Sequence, residues 1–407
     1  MRERMSQEAI LETPGGTMGS RSLLRRMNSL GILRAVMRAP QTMRTMAADS
    51  GLSRTAVDAI VSDLVDNGWL AVADDAPTRG VGRPAAVFRV RPDLGRFLSL
   101  DIGANHIYAV VTDLTGSVLG HRTARVDENL AAEERVAAAL TVSDELLDEL
   151  DITRDALWAV AIGSPGSIGR GGDVLHFGGT GMPGWVGLNL RERFGAEFDA
   201  AILVEGDVAL GAHAELTIGA ARDYSDVVYI LCGIRTSGAS IVDGKVHRGV
   251  HGAAGIVGEM PELKWAELNE RYGTSVLSDP RPSREQIFDA ARAGDPAAVV
   301  AVQEFADDLA TGAAALTLAL DPELLVIGGG SAPGADVFLP RFEQTLRSIC
   351  PLPPEVAVSD LGSEAVAMGG ISLAAGHLNA VLDAAVRELG SFPSPAETAR
   401  LMATRAG

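Results

Sequence analysis

Charged and hydroxyl side chains cluster at the start of a predicted helix, in the sequence Ser53-Arg-Thr-Ala-Val-Asp58. Ser53 is a natural helix N-cap, so Arg54, Thr55 and Asp58 should project from the first two helical turns. An arginine there can contact a phosphate or a guanine, and a threonine can contact a phosphate or a thymine methyl. Asp58 fits less simply, because a carboxylate repels phosphates unless it accepts a hydrogen bond from a cytosine amine. These residue types together indicate a surface that binds nucleic acid.

Two short helices should position this surface. The spacing of apolar residues predicts helices over 42–49 and 53–67, separated by a turn at 50–52. Gly68 is a typical C-terminal stop. The apolar seam between the two helices consists of Met46, Ala47, Val57, Ile60, Val61 and Leu64. This arrangement is typical of the helix-turn-helix, whose second helix enters the major groove with its first turns. An earlier helix should run from Ser22 to Pro40.

The charge of the chain is distributed unevenly. The 407 residues have a net charge of −18, yet residues 1–96 contain 14 Arg, no Lys and 10 Asp or Glu, a net of +4. An acidic body with a basic head favours a nucleic-acid partner for the head alone. The N-terminus lacks the apolar core of a signal peptide, and no apolar run reaches the ~18 residues that span a bilayer. We therefore expect a cytoplasmic protein without a membrane partner.

A glycine-rich stretch, Arg248-Gly-Val-His-Gly-Ala-Ala-Gly-Ile-Val-Gly-Glu259, lies just past the middle of the chain. Glycines alternate there with small residues, so the backbone can turn sharply and approach another surface. The stretch resembles the signature R-G-x-x-G-A-A-G-E-I-G-H of the ROK family, which comprises repressors, open reading frames and sugar kinases. In that family the Glu holds a sugar hydroxyl and the His holds a structural zinc. Here Ile256 and Glu259 occupy those positions.

The run from Arg79 to Val90 reads as a two-stranded wing with a glycine-rich tip. Its Gly-Arg-Pro step is extended and narrow, a shape that suits an arginine inserted into the minor groove. ROK repressors carry a similar wing, and the resemblance implies that role for Arg83, with Arg79 contacting phosphate. The alternative is a surface hairpin whose arginines meet only solvent. The wing and the helix-turn-helix together favour DNA binding.

The resemblance also implies a catalytic carboxylate. The stretch Glu205–Glu215 resembles the family pattern E-N-D-A-N-A-A-A-L-A-E, in which the Asp is the general base, and Asp207 aligns with it. Two asparagines of the pattern are replaced by Gly206 and Ala209, and a sugar-binding Asn upstream is replaced by Gly181. Each lost hydrogen bond costs ~1–3 kcal/mol, so ordinary hexose binding is not expected. We expect no catalytic residue, a vestigial Asp207, and any effector site at Asp207, Glu205 and His251.

The phosphate loops of the kinases are altered as well. The first, D-x-G-x-T-K in kinases, is Asp101–His106 here, and the second, commonly G-T-G, is Gly233-Ile-Arg235. Arg235 either binds an anion, fills the nucleotide site or pairs with a nearby acid. The third loop, Gly328–Gly330, is intact. ATP binding and kinase activity are therefore not expected.

No metal site is expected. The cysteine-rich zinc run of the family should follow position 259, but residues 260–272 contain neither Cys nor His. A structural zinc needs about four such ligands. Another arrangement must therefore order this loop. The seven histidines form no spaced cluster, and Cys232 and Cys350 read as two buried thiols. We expect no cofactor.

The body begins with a strand–turn–strand–turn–strand series at 97–119, and a similar series recurs at 227–246. Two copies of one hairpin unit predict a duplicated α/β fold with a cleft between two lobes. The ROK resemblance likewise implies the ribonuclease-H-like architecture of actin and the sugar kinases. The predicted division is a flexible tail at 1–20, an α+β winged helix-turn-helix at 21–92, a two-lobed body at 97–390 and a tail at 391–407.

The sequence as a whole predicts a DNA-binding regulator of the ROK family, more commonly a repressor. The family implies a homodimer or a dimer of dimers that presents two heads to a partly palindromic double-stranded operator. The body should serve oligomerisation and the sensing of a non-standard small-molecule effector. Two alternatives stay open: a sugar kinase with a DNA-binding head, and a regulator that has no effector.

Overall fold

The computed structural model describes residues 16–73, 85–233, 235–266, 268 and 282–405. The chain divides into two compact units. The head unit consists of the chain up to Leu94 together with Leu378–Leu401, and the body unit consists of Gly95–His377 with Met402–Gly407.

Three helices form most of the head: α1 (Gly16–Arg38), α2 (Met43–Ser50) and α3 (Arg54–Asp66). The Thr42 side chain caps α2, and Gly51 ends it in the left-handed conformation at φ 68°, which an amino acid with a side chain rarely adopts. The predicted apolar seam is buried, since Met46, Val57 and Leu64 are at most 1% exposed. The predicted helix-turn-helix is therefore present in the structure. α1 begins at Gly16, inside the segment predicted to be a tail.

A small antiparallel sheet completes the winged helix. Its strands are β1 (Gln41–Thr42), β2 (Leu70–Val72) and β3 (Val87–Val90), in the order β1-β3-β2. Leu70 pairs with Val90 and Val72 with Phe88, as expected for the base of a wing. The predicted wing tip, including Arg79 and Arg83, lies in 74–84, outside the described residues.

The C-terminal segment differs from the predicted tail. Residues Pro395–Thr404 form a helix, and Leu378–Leu401 belong to the head unit instead of a body ending at 390. The indole Nε1 of the fully buried Trp69 donates to the Pro393 carbonyl at 2.8 Å, and the Arg34 guanidinium pairs with Asp383 at 2.7 Å. The polar composition after Ser391 misled the prediction, because a few buried residues suffice to anchor a short helix.

The first lobe of the body contains a five-stranded sheet. Its strands are β4 (Arg96–Ile102), β5 (His106–Asp113), β6 (Val118–Arg125), β7 (Leu157–Ser164) and β10 (Ala201–Gly206). A separate hairpin consists of β8 (Ser167–Ile168) and β9 (Val174–His176). The sheet order is β6-β5-β4-β7-β10, with the first three strands antiparallel and the last two parallel to β4.

The second lobe repeats this topology. Its strands are β11 (Val227–Cys232), β12 (Thr236–Val242), β13 (Lys245–His247), β14 (Leu324–Gly328) and β15 (Glu355–Val358), in the order β13-β12-β11-β14-β15. A meander followed by two parallel strands thus occurs twice. The predicted duplication and the ribonuclease-H-like fold are confirmed.

Helices cover the two sheets. Those of the body are α4 (Ala132–Glu149), α5 (Leu190–Gly195), α6 (Asp207–Thr217), α7 (Arg284–Arg292), α8 (Pro296–Leu320), α9 (Ala335–Ile349) and the first half of α10 (Ala365–Glu388). The rest of α10 and most of α11 (Pro395–Thr404) belong to the head unit. Within the described residues, one stretch, Gly362–Glu388, has the length and composition of a membrane span. Of its most apolar window, 56% is buried inside the protein. Each lobe has its own apolar core.

Candidate functional site

The exposed face of α3 carries the predicted DNA-contacting residues of the head. The Ser53 hydroxyl accepts from the Ala56 amide at 3.3 Å, which fixes the first turn of the helix. Arg54, Thr55 and Asp58 are all exposed, whereas Val57 between them is fully buried. The buried face thus holds α3 in place and leaves the polar face available to a ligand. Arg79 and Arg83 lie outside the described residues, so their positions stay predictions.

Asp207 lies near charged groups of both lobes, since the charges of Asp101 in the first lobe and Arg235 in the second act on it. It is the first residue of α6, where its Oδ1 accepts from the Val208 amide at 2.7 Å. Burial, and secondarily the charge of Asp101, raises the pKa of the Asp207 carboxyl to about 7. This carboxyl therefore carries its proton for part of the time at neutral pH, and it can then both donate and accept hydrogen bonds.

His106 occupies the turn that corresponds to the first phosphate loop. Its Nε2 lies 3.0 Å from Oδ2 of the buried Asp101. Burial opposes the charged imidazole, but the hydrogen bond and charge of Asp101, with the charge of Asp207, raise the pKa of His106. A Cβ on Gly103 would lie 2.3 Å from the imidazole Cε1, so the ring packs directly on this glycine. The surface that a phosphate would approach is covered by the imidazole.

Arg235 crosses the cleft from the second lobe to the first. Its guanidinium carbon lies 4.1 Å from the centre of the Phe177 ring, and Nη2 donates to the Thr180 carbonyl at 2.5 Å. A Cβ on Gly179 would lie 1.5 Å from Nη1, so this glycine provides the room for the guanidinium. Burial lowers the pKa of Arg235, against the charges of Asp207 and Glu128.

The glycine-rich loop joins the two lobes. Gly252 has φ 67°, and a Cβ there would lie 2.3 Å from the Ile168 carbonyl oxygen in the first lobe. Arg248 Nη2 donates to the same carbonyl at 3.2 Å. At the other end, Glu259 Oε1 lies 3.0 Å from His176 Nε2 in β9. The glycine frame is therefore a contact surface between the lobes.

The other two residues predicted to bind an effector, Glu205 and His251, have different surroundings. Glu205 is buried and forms an ion pair with Arg248 at 2.5 Å. Burial raises the pKa of Glu205, against the charge and hydrogen bond of Arg248. His251 is exposed in the glycine-rich loop. An effector site at these three residues stays a prediction.

Trp265 lies shortly after position 259, in the segment where the family's zinc ligands would be expected. Trp265 is fully buried, its Nε1 donates to the Leu309 carbonyl at 3.2 Å, and a Cβ on Gly312 would lie 2.3 Å from its ring. Lys264 precedes it in the left-handed conformation at φ 62°. In the part of the chain that the structure describes, no group of His, Cys, Asp or Glu is arranged to hold a metal ion. Cys232 and Cys350 are buried free thiols.

Residues 97–267 and 266–377 match the ROK family. The chain belongs to the ROK family. The match covers the whole two-lobed body except its last residues, and it explains why the glycine-rich loop, the carboxylate at the start of α6 and the glycine turns occur together.

Relatives and solved structures of the ROK family cover this chain to different extents. The xylose repressor of Caldicellulosiruptor bescii is 22% identical over 395 residues, which cover 88% of this chain and 97% of the repressor. A crystal structure of a ROK family transcriptional regulator, a homologue of the E. coli MLC protein, has a TM-score of 0.64 at 18% identity and covers 93% of this chain and 98% of that one. A ROK glucokinase from Streptomyces griseus, solved with glucose and AMPPNP, has a TM-score of 0.57 at 23% identity and covers 69% of this chain and 99% of the kinase.

Sequence reasoning missed several residues of this ROK cleft. Arg135 is fully buried, and its guanidinium donates to the carbonyls of Gly103, Ala104, Asp127 and Glu128. Arg135 therefore holds the turn between β4 and β5 against the loop that follows β6. His176 and Phe177 contact residues of the opposite lobe. No local pattern marks these three residues, although an arginine on the apolar face of α4 is a signal that could have been followed.

Proposed function

We propose that this chain is a DNA-binding transcriptional regulator, a repressor, that recognises its operator with the winged helix-turn-helix head. The observation that carries the proposal is α3, a capped helix whose first turns expose Arg54 and Thr55 beside the strands of a wing. Relatives named xylose repressor align over 88% of the chain, head included. They support a role in the control of carbohydrate genes.

Two copies of the head are needed to read a partly palindromic site. A single helix in one major groove contacts only a few base pairs, so helix-turn-helix proteins bind as dimers to two half-sites about one helical turn apart. We propose that the body assembles the chain into a homodimer or a dimer of dimers.

We further propose that the body has lost catalysis. Four positions that carry polar sugar ligands or their supports in ROK kinases are occupied here by residues whose side chains cannot hydrogen-bond: Gly181, Gly206, Ala209 and Ile256. The imidazole of His106 covers the first phosphate turn. Both the hydroxyls of a hexose and the phosphates of ATP would therefore meet an altered site.

One observation favours a second candidate, a sugar kinase with a DNA-binding head. The pKa of Asp207, about 7, lies in the range of an effective general base. Incubation with ATP, Mg²⁺ and a panel of hexoses distinguishes the two candidates. We expect no turnover, and turnover that Asp207→Asn abolishes would overturn the proposed loss of catalysis.

The DNA-binding proposal is tested on operator fragments recovered from genomic DNA bound by the protein. If Arg54 contacts a guanine, Arg54→Ala should weaken binding by about 5- to 150-fold and relax specificity at one position. If it contacts a phosphate, the loss should be uniform across sequences and the salt slope should fall by about 0.9. Arg83→Ala should weaken binding as well.

Arg122→Ala provides the matched control. Arg122 is an arginine on β6 of the body that pairs with Glu145 at 2.8 Å. It lies outside the head unit, so its replacement should leave operator affinity unchanged. Unchanged affinity in both head variants would overturn the proposed docking.

A further inference from the structure

The C-terminal end of α3 is attached to a segment 325 positions further along the chain. Asn67 is the C-cap of α3, and its Nδ2 donates to the carbonyls of Phe392 and Pro393 at 3.3 and 3.4 Å. The indole Nε1 of the fully buried Trp69 donates to the same Pro393 carbonyl at 2.8 Å. The loop between α10 and α11 therefore accepts three hydrogen bonds from two residues that directly follow α3.

The same loop and the end of α10 are also held to α1. The Arg26 Nη1 donates to the Gly390 carbonyl at 3.2 Å. One turn and more further along α1, the Arg34 guanidinium pairs with Asp383 at 2.7 Å. We call residues 383–393 the C-terminal strap, because they connect α1 to the C-terminal end of α3.

The strap holds the end of α3 that lies opposite its exposed polar residues. α3 has 13 residues, so it is about 20 Å long. A tilt of about 10° around its C-terminal end would move Arg54 and Thr55, at the N-terminal end, by about 3.5 Å. Hydrogen bonds to base edges tolerate only a few tenths of an ångström around ~2.9 Å. The angle of α3 thus decides whether these side chains can reach bases.

We propose that the C-terminal strap positions α3 for operator recognition, and that Asn67 and Trp69 are positioning residues for this binding. Trp69 is fully buried, so its effect on DNA must act through α3. The inference rests on the proposed function, because it concerns the same DNA-binding surface. It makes the recognition unit a domain formed by both ends of the chain, in agreement with the two segments of the head unit.

The measurement compares two affinities of the full chain at one salt concentration. One is for an operator fragment recovered from genomic DNA, and the other is for the same fragment with both half-sites scrambled. Base contacts need an exact placement of α3, whereas attraction to phosphates is independent of sequence. Loss of positioning therefore lowers the affinity for the operator alone, and unfolding of the head lowers both affinities.

Two variants remove bonds to the strap. Trp69→Phe keeps the ring and removes the donor to Pro393, and Asn67→Ala removes the other two hydrogen bonds. Each should lower the ratio of operator affinity to scrambled-fragment affinity by at least about 5-fold. Asn28→Ala is the matched control. Asn28 is a partly buried asparagine of α1 whose side chain forms no hydrogen bond among the described residues, so the ratio should not change.

A third variant separates positioning from electrostatics. Asp383→Asn removes a negative charge from the strap together with the ion pair to Arg34. Electrostatics alone would raise the affinity for any DNA. If the strap positions α3, the affinity for the operator instead falls by about 2- to 5-fold, while that for the scrambled fragment does not fall. A rise of both affinities contradicts the role of the strap.

The inference and the proposed function fail in different ways. Wild-type protein that does not prefer the operator to the scrambled fragment overturns the proposed function, and the inference with it. A wild-type preference that Trp69→Phe and Asn67→Ala both retain overturns the positioning role alone. Loss of both affinities in Trp69→Phe means that the head is unfolded, and the results with Asn67→Ala and Asp383→Asn then decide.

Discussion

Gly252 and Gly244 form a matched pair that tests whether the glycine-rich loop joins the lobes. Both have the same left-handed conformation, with φ 67° and φ 68°. A Cβ at Gly252 would lie 2.3 Å from the Ile168 carbonyl oxygen, whereas at Gly244, in the β12–β13 hairpin turn, nothing lies within 4 Å. Alanine at either position costs about 1–2 kcal/mol in backbone strain. Only Gly252→Ala must also move the lobes apart.

That displacement sets the size of the expected difference. Relieving a contact about 1 Å too short against backbone costs a further ~1–3 kcal/mol. We therefore expect Gly244→Ala to lower the unfolding free energy of the body by about 1–2 kcal/mol and Gly252→Ala by about 2–5 kcal/mol.

Denaturant unfolding measures the two losses, and hydrogen exchange locates them. Exchange should become faster in the Ser167–His176 hairpin with Gly252→Ala and not with Gly244→Ala. Equal losses of stability in the two variants, with equal exchange in this hairpin, would refute the assigned interlobe contact.

Three further predictions concern the head, the cleft and the metal content of the protein. Trp69→Phe removes the hydrogen bond to Pro393 and should lower the stability of the head by ~2–3 kcal/mol, which makes amide exchange in α3 about 30- to 150-fold faster. Trp265→Phe, which removes a hydrogen bond in the body, should leave amide exchange in α3 unchanged. The pKa of Asp207 in the folded protein, about 7, lies above the ordinary value of 3.8, so Asp207→Asn should stabilise the body increasingly as pH rises from 4 to 7. The gain in unfolding free energy is at most about 4 kcal/mol and is constant above pH 7. A gain that shrinks with rising pH would contradict the raised pKa of Asp207. Excess EDTA should leave the midpoint of thermal unfolding unchanged. If the fold depended on a structural metal, EDTA would remove that metal and the midpoint would fall.

Local signals in the sequence predicted much of the fold. Ser53 as the cap of α3 and Asp243-Gly244 as a tight turn depend on residues next to each other in the chain, and both are present in the structure. The repeated strand series at 97–119 and 227–246 predicted a duplicated α/β fold, and the structure confirms it with two five-stranded sheets of the same topology. Periodicity and turn chemistry suffice for such features because neighbouring residues determine them.

Contacts between distant residues were not predictable in the same way. His176 and Glu259 are 83 positions apart, and Trp69 and Pro393 are 324 apart. Each pair depends on how two separately formed elements meet, and no single local pattern records that. The burial of Trp265 against α8 has the same character, because Trp265 and the Leu309 carbonyl that it contacts are 44 positions apart.

The most direct test of the central claim is to map the genomic DNA that the protein binds and to compare wild type with Arg54→Ala. We expect a small number of discrete sites that share a partly palindromic sequence, with occupancy reduced by Arg54→Ala and kept by Arg122→Ala. Binding without preferred sites, or the same sites and occupancy with Arg54→Ala, would contradict recognition of an operator by α3.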